Sequence, residues 1–325
     1  MLRRADFWKE EDEAPLLRLN RSFLPSEEIV DKIEDNKEDD TIVNTDHERI
    51  IYLDAERTFL GTAQRTTLMN VLSFLRNEFG SYHQAMSYVS GFLLLTHSPS
   101  KVIETMRQLH RTVLIGYWTE EPVAFATDAY VFDYLLADYD PELHKHLLNN
   151  YIFPETYAQK WFTTLCVNVL PFEALFRFFD IFITQSIAAS SNIFLFQFAL
   201  SLVKHVREEL LQTKSVATIY QYLRLDSSLP QLNAKIDKLA MSIVEGAKDY
   251  DLSSYDFTQL RQKAFNEKLR VRLEAANRAH QENKENQNSC ITSSDDDDDD
   301  DGENEKQTLS TAINGLVSHM KKLHI

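Results

Sequence analysis

The stretch "LMNVLSFLRNEF", residues 68–79, decides the fold class. Its apolar residues recur every three or four positions, at Leu68, Val71, Leu72, Leu75 and Phe79. An α-helix has about 3.6 residues per turn, so these side chains share one face. The stretch therefore predicts a helix that buries one side in a core.

The same spacing runs through the middle of the chain, residues 62–228, and the composition agrees with it. The 325 residues include only 7 glycines and 8 prolines, against usual shares of about 7% and about 5%. No run alternates between apolar and polar residues as a half-buried strand would. We therefore expect an all-α protein with an aromatic-rich core.

Two helix starts can be read directly, because Ser98 and Asp140 each precede a proline. A side chain that caps the helix followed by proline at the first helical position is a typical N-terminus. Further apolar helices are expected near residues 122–138, 155–168, 171–186, 192–212 and 216–224, and another from Pro230 to about 248.

Composition divides the chain into four segments. Residues 1–230 are expected to form the main domain, and residues 231–281 a helical extension with an apolar seam. Residues 282–308 hold so many acids and so few apolar residues that disorder is expected. Residues 309–325 carry apolar residues at helical spacing and are expected to form a short amphipathic helix.

Charge and hydropathy exclude several classes of protein. The net charge is −16, and no basic patch points to nucleic acid. The longest apolar region, around 187–203, is interrupted by polar residues and predicts a core helix, not a membrane span. The two cysteines, Cys166 and Cys290, form no disulfide or zinc pattern, which favours a reducing, cytoplasmic compartment.

No nucleotide-binding loop is present, since the sequence lacks both G-x-x-x-x-G-K-[ST] and G-x-G-x-x-G. The ten histidines are scattered, and His144 and His146 are two apart, which separates them around a helix. We therefore expect neither a metal nor a cofactor belonging to this chain.

A first candidate site is "IIYLDAERTFL", residues 50–60, in which Ile51, Asp54 and Arg57 are spaced by three. On a helix these residues share a face, and Asp54 can hold the Arg57 guanidinium in one pose. Taken alone, this spacing is more typical of an ordinary surface ion pair.

A second candidate is "YHQAM", residues 82–86, at the start of a predicted buried helix. Taken alone, Gln84 is more typical of a capping or packing residue. The interpretation changes when the two stretches are considered together.

Together they resemble the paired I-x-x-D-x-x-R and Y-x-Q motifs of the TBC family of Rab GTPase-activating proteins. "KWFTTL" (160–165) is similar to the W-x-x-T-L segment of the family. "LPFEALFRFFD" (170–180) is similar to its L-P-x-x-x-x-x-R-x-W-D segment, and "RRADFWK" (3–9) to its opening L-R-x-x-x-W helix. The resemblance extends from residue 3 to about 228, and it implies that the opening helix is truncated or divergent.

This resemblance implies a V-shaped helical domain that activates a Rab GTPase in trans and has no hydrolytic activity of its own. Arg57 would be the arginine finger and Gln84 the glutamine that positions water. Asp54 would orient Arg57, and Tyr82 would fix Gln84. Arg177 and Asp180, which match a family motif, would give structural support.

The implied partner is a Rab in its GTP-bound form, which would itself carry the GTP and Mg²⁺. Association with endomembranes would be peripheral, through partners, in vesicle trafficking. Ala85 and Leu60 depart from the family pattern, which has glycine and proline at these places. Two alternatives stay open: a TBC-like scaffold that binds a Rab with little catalysis, and a helical adaptor unrelated to GTPases.

Overall fold

The computed structural model describes residues 46–119, 121–275 and 278. The expectations for residues 1–45, 282–308 and 309–325 lie outside these residues. The described residues fall into two compact units, divided between Leu252 and Ser253. The described part of the chain is helical with no β-strand, so the all-α prediction is confirmed.

The first unit contains thirteen α-helices among its described residues. They are α1 (Asp46–Thr58), α2 (Thr62–Phe79), α3 (Ala85–Leu93), α4 (Pro99–Gln108), α5 (Val123–Tyr139), α6 (Pro141–Asn149), α7 (Pro154–Phe162), α8 (Phe172–Ala189), α9 (Ile193–His205), α10 (Arg207–Gln212), α11 (Val216–Leu223), α12 (Pro230–Asn233) and α13 (Ile236–Gly246). A π-helical turn, Leu109–Val113, continues α4, and a 3₁₀ turn, Ala247–Asp249, follows α13. The second unit begins with α14 (Phe257–Ala264), which continues into a π-helical turn, Phe265–Leu269.

Both predicted caps form. The Ser98 hydroxyl accepts a hydrogen bond from the Lys101 backbone N–H, and the Asp140 carboxylate accepts one from Leu143 at 3.0 Å. Each satisfies a backbone donor that the first helical turn leaves without a partner. At the other end of α2, Gly80 takes a left-handed conformation with φ of 77° and donates its N–H to the Arg76 carbonyl.

Three expected helices end earlier or break. The helix expected over 155–168 stops at Phe162, because Leu165 and Cys166 adopt positive φ and turn the chain. The helix expected over 192–212 breaks at Val206 into α9 and α10. The helix expected from Pro230 to about 248 forms three pieces: α12, α13 and the 3₁₀ turn.

The core of the first unit is rich in aromatic side chains, as expected. Trp118 and Trp161 are fully buried, and each indole N–H donates to a backbone carbonyl at 3.0 Å. The ring of Phe178 packs against Phe182, Phe194 and Phe198. The proposed boundary between residues 230 and 231 differs from this division, because α13 packs against α8 and α9 inside the first unit.

The N-terminal helices of this unit position the candidate site. Helix α1 packs against both α2 and α3, with Ile51 and Ala55 buried. Helix α3 rests on α8, because the Phe92 ring contacts the rings of Phe176 and Phe179 at centroid distances of 4.9 and 4.6 Å. Helix α3 therefore contacts both α1 and α8.

Candidate functional site

The centre of the site is the carboxylate of Asp54, on the third turn of α1. Asp54 is buried, with only 3% of its surface exposed to solvent. Oδ2 accepts a hydrogen bond from the Tyr82 hydroxyl at 2.7 Å, and Oδ1 accepts one from the Gln84 side-chain Nε2 at 3.0 Å. A buried carboxylate requires such donors, since burial without them would cost several kcal/mol.

Arg57 lies one turn further along α1 and extends outward. Its Nη1 is 3.6 Å from Asp54 Oδ1, and its side chain is 69% exposed. This distance exceeds that of an ordinary hydrogen bond, so the contact is electrostatic. Asp54 thus lies beside a guanidinium that extends into solvent.

Gln84 caps the start of α3, and its backbone is held firmly. Its carbonyl accepts hydrogen bonds from the backbone N–H of Ser87 at 3.0 Å and from the Ser87 hydroxyl at 2.9 Å. The Nδ1 of His83 accepts a bond from the Ala85 N–H at 3.2 Å. The exposed Gln84 side chain therefore projects from a fixed backbone.

Tyr82 is buried and acts as a hydrogen-bond donor. Burial, together with the hydrogen bond to Asp54, raises the pKa of its hydroxyl far above the ordinary value. The phenol stays protonated at neutral pH and continues to donate to the carboxylate. Asp54 is consequently held by two donors and a nearby cation.

This arrangement places a cation and an amide side by side on the surface, anchored to one buried anion. Such a pair can offer charge and hydrogen bonds to a reacting group that a partner carries. Among the residues that the structure describes, no group of three or more His, Cys, Asp or Glu side chains could hold a metal ion.

Arg177 and Asp180 belong to a different contact. Arg177 Nη1 donates to Asp180 at 3.2 Å, the helix-surface pair that their spacing predicts, and its Nε donates to Glu245 at 2.6 Å. These bonds tie α8 to α13. The structure thus joins Asp54, Arg57, Tyr82 and Gln84 in one cluster and places Arg177 and Asp180 in another.

Two departures from the family pattern differ in their surroundings. Ala85 is 1% exposed, so its methyl group faces the protein interior and not the surface beside Gln84. Leu60 is 76% exposed, in the loop between α1 and α2, three residues after Arg57.

Sequence reasoning missed two residues beside the cluster, Thr58 and Gly91. The Thr58 hydroxyl donates to the Asp54 backbone carbonyl at 2.7 Å, and a Cβ atom on Gly91 would lie 2.8 Å from Thr58 Cγ2. A signal was present: Gly91 interrupts an apolar helical run in a chain with only 7 glycines. Glycine there is unfavourable unless a close contact requires it.

Within the described residues, no helix has both the length and the apolar character needed to cross a membrane. This finding agrees with the interpretation of residues 187–203 as part of the core, where Phe194, Leu195 and Phe196 are buried.

Known proteins resemble this chain in sequence and fold. TBC1 domain family member 4 of Mus musculus is 29% identical over 227 residues, covering 65% of this chain and 17% of that protein. TBC1 domain family member 1 of Homo sapiens is 28% identical over 226 residues, covering 65% and 19%. The chain thus spans under a fifth of the length of these relatives.

A solved structure, titled as that of the Chlamydomonas flagellar RabGAP TBC domain, matches with a TM-score of 0.51. It is 20% identical and covers 64% of this chain and 68% of that one, so it supports the fold. The model of the Rab-GTPase-TBC domain matches residues 7–211, more than half of the chain. This protein therefore belongs to the Rab-GTPase-TBC domain family.

Proposed function

We propose that this protein is a GTPase-activating protein for a Rab-family small GTPase, and that it inserts Arg57 and Gln84 into the active site of the partner. One observation carries the proposal: the buried Asp54 carboxylate holds both an exposed guanidinium and an exposed amide at one edge of the fold. Neither residue alone would distinguish this site from an ordinary surface.

Arg57 would supply positive charge. Hydrolysis of GTP spreads negative charge over the phosphoryl oxygens in the transition state. A positive charge beside these oxygens therefore stabilises the transition state more than the ground state. A guanidinium provided by a partner protein is worth about 10³–10⁵ in rate for GTPases. The exposure of Arg57 supports this role, because most of its donors face solvent in the free protein.

Gln84 would orient the attacking water. Its amide oxygen can accept a hydrogen bond from that water while its nitrogen donates to the partner. In the free protein that nitrogen donates to Asp54 Oδ1 at 3.0 Å. The side chain would therefore exchange this bond for contacts in the complex, while Ser87 keeps its backbone in place.

The remaining residues would act through these two. Asp54 would orient Arg57, and Tyr82 would keep Asp54 in place through its 2.7 Å bond. Arg177 and Asp180 would brace α8, on which α3 rests. GTP and Mg²⁺ would belong to the Rab in its GTP-bound form, and this chain would contribute no nucleophile. It would act in the cytoplasm and meet endomembranes, in vesicle trafficking, only through its partners.

The test is GTP hydrolysis by a panel of purified Rabs under single-turnover conditions. The wild-type chain is compared with Arg57→Ala and Gln84→Ala. Arg49→Ala is the matched control, since Arg49 is an exposed arginine on the same helix, two turns before Arg57. We expect acceleration of at least one Rab, lost with either finger variant and kept with the control.

Other outcomes would change the assignment. Binding of GTP-loaded Rabs without acceleration would identify a scaffold and not an activator. No binding to any Rab in the panel would favour a helical adaptor without a GTPase partner. Equal losses in Arg49→Ala and Arg57→Ala would show that general surface charge, and not a finger, is responsible.

A further inference from the structure

We infer that Gly91 and Thr58 form a spacer that sets the position of the Asp54 cluster, and that both are positioning residues for the reaction. The inference rests on the proposed function. Gly91 lies in α3, seven residues after Gln84, and Thr58 directly follows Arg57 at the end of α1. Their contact therefore joins the two helices that carry the two fingers.

The contact is close because Gly91 has no side chain. A Cβ atom at this position would lie 2.8 Å from Thr58 Cγ2, a separation that side chains do not adopt without movement. Leu68 Cδ2 would lie 4.0 Å away on another side, an ordinary contact. The absence of a side chain at Gly91 is therefore required by Thr58 in particular.

The Thr58 methyl cannot simply rotate away. Its hydroxyl donates to the Asp54 backbone carbonyl at 2.7 Å, which selects one rotamer of a β-branched side chain. This rotamer directs the methyl group at Gly91. The same hydrogen bond connects the spacer to Asp54, so a displaced Thr58 would move the residue that holds both fingers.

The geometry of the cluster depends on this distance between helices. Gln84 Nε2 reaches Asp54 Oδ1 from α3 to α1 at 3.0 Å, and Tyr82 reaches Oδ2 at 2.7 Å. Both bonds cross between the same two parts of the fold. A methyl group added at position 91 would push α1 and α3 apart, lengthen both hydrogen bonds and misplace Gln84 relative to Arg57.

The experiment combines Gly91→Ala with Thr58→Ser. Serine keeps the hydroxyl that bonds to Asp54 and removes the methyl that meets residue 91. We expect Gly91→Ala to lower the rate at saturating activator about tenfold, since a misplacement of about 1 Å can cost about 10²-fold. The half-saturating concentration should change little, and the Thr58→Ser/Gly91→Ala double variant should recover most of the rate.

Gly246→Ala is the matched control. Its Cβ atom would lie 2.9 Å from Ser201 Oγ, so it introduces similar crowding between α13 and α9, away from the cluster. We expect it to lower the melting temperature without lowering the rate of the folded protein. An equal loss of rate in Gly246→Ala and Gly91→Ala, or no recovery in the double variant, would overturn the inference.

A second readout needs no GTPase and separates this inference from the proposed function. The side-chain amide resonances of Gln84, identified by their absence in Gln84→Ala, report its bond to Asp54. They should shift in Gly91→Ala and return in the double variant; unchanged resonances in Gly91→Ala would overturn the inference. If the wild-type protein activates no Rab, the proposed function fails, but these resonances still test whether the Gly91–Thr58 contact positions Gln84.

If Gly91→Ala alone does not fold, the double variant is compared with Thr58→Ser. The inference then requires the double variant to fold and to match the rate of Thr58→Ser within about threefold, since similar packing should give similar placement. A double variant that stays unfolded, or folds without this rate, would overturn it.

Discussion

Two carboxylates in the first unit, Asp54 and Asp128, are bonded by the same chemical groups in different surroundings. Asp54 accepts from the Tyr82 hydroxyl at 2.7 Å and the Gln84 amide at 3.0 Å. Asp128 accepts from the Tyr117 hydroxyl at 2.6 Å and the Asn192 amide at 2.8 Å. Both carboxylates are nearly inaccessible to solvent.

The difference lies in the amide. Asn192 is 4% exposed and also donates to the Tyr117 hydroxyl at 2.9 Å, so its group closes a buried network. Gln84 has one more methylene and an exposed side chain, with the exposed Arg57 beside it. The same bonds therefore stabilise the interior at Asp128 and hold an exposed amide at the surface at Asp54.

The largest contrast is expected between Gln84→Ala and Asn192→Ala. Gln84→Ala should lower the GTP hydrolysis that this protein stimulates in a Rab about 10²-fold or more, as loss of a transition-state contact does. It should cost under about 1 kcal/mol of unfolding free energy, because water can reach Asp54 Oδ1 once the exposed Gln84 side chain is removed. Asn192→Ala should cost about 1–3 kcal/mol, because buried groups lose their partner, without changing the rate per folded molecule. Denaturant titration and single-turnover hydrolysis measure the two effects, and equal stability losses would break the comparison.

A smaller contrast is expected between Asp54→Asn and Asp128→Asn. At Asp54 each oxygen accepts one bond, so an amide turns its NH2 group toward a donor and should cost about 3 kcal/mol of unfolding free energy. At Asp128 both bonds go to Oδ2, an acceptor that asparagine keeps, so the loss of charge should cost less, about 1 kcal/mol. Only Asp54→Asn should also lower hydrolysis, because Arg57 loses its anionic partner. Activity measured under conditions where both variants are folded separates them; a loss of rate in Asp128→Asn would contradict the division.

The hydroxyl groups should show a weaker version of the same contrast. Tyr82→Phe and Tyr117→Phe each remove one hydrogen bond to a carboxylate and keep the ring, at a cost of about 1.5 kcal/mol. The cost should be larger for Tyr117→Phe, because the Tyr117 hydroxyl also accepts a bond from Asn192. Tyr82→Phe should lower the rate modestly, and Tyr117→Phe should not change it. Thermal melts and hydrolysis rates at matched folded fractions provide the check. A lower rate in Tyr117→Phe with an unchanged rate in Tyr82→Phe would contradict the prediction.

The smallest effect concerns pH. Burial lowers the pKa of His83 below its ordinary value of 6.5, so the unfolded chain binds a proton that the folded protein resists. This contribution to stability is present above pH 6.5 and is lost as the pH falls below it. Protonation of Nδ1 also removes the acceptor for the Ala85 N–H.

His83→Asn tests this effect. An asparagine oxygen can accept a hydrogen bond from the N–H two residues later and does not titrate. The unfolding free energy of the variant should therefore decline less steeply than that of wild type as the pH falls below 6.5. Denaturant midpoints across this pH range provide the measurement. His97 and His110, whose pKa values burial also lowers, contribute to the decline that remains. So do Glu78 and Glu245, whose pKa values are lowered by hydrogen bonds from Arg107 and Arg177. If the denaturant midpoint of His83→Asn depends on pH as steeply as that of wild type, His83 does not contribute to the pH dependence of stability.

Most of the helical pattern could be predicted from local sequence. The stripe from Leu68 to Phe79 forms α2, and Ser98 and Asp140 cap the helices they precede. The breaks at Phe162 and Val206 could not be predicted, because no glycine or proline stands at either place and the local residues are compatible with a continuous helix. Packing against neighbouring elements decides such ends, and periodicity does not record it.

The candidate site was predictable in its residues and only partly in its contacts. The resemblance selected Asp54, Arg57, Tyr82 and Gln84, which the structure brings together. It also gave Arg177 and Asp180 a supporting role. The structure forms the Arg177–Asp180 pair that their spacing predicts and adds a bond from Arg177 to Glu245, 68 positions later. Sequence spacing indicates which residues share a helix face, but it does not identify a partner from a distant helix.

By itself, the sequence determined the fold class and the identity of the two exposed groups, since helix periodicity and motif spacing are local properties. Tertiary structure decided that one buried carboxylate serves both groups and that Gly91 is required by Thr58. It also decided that the Ala85 methyl faces inward. The physical reason is that these features depend on the distance between α1 and α3, which is set by close packing of side chains far apart along the chain.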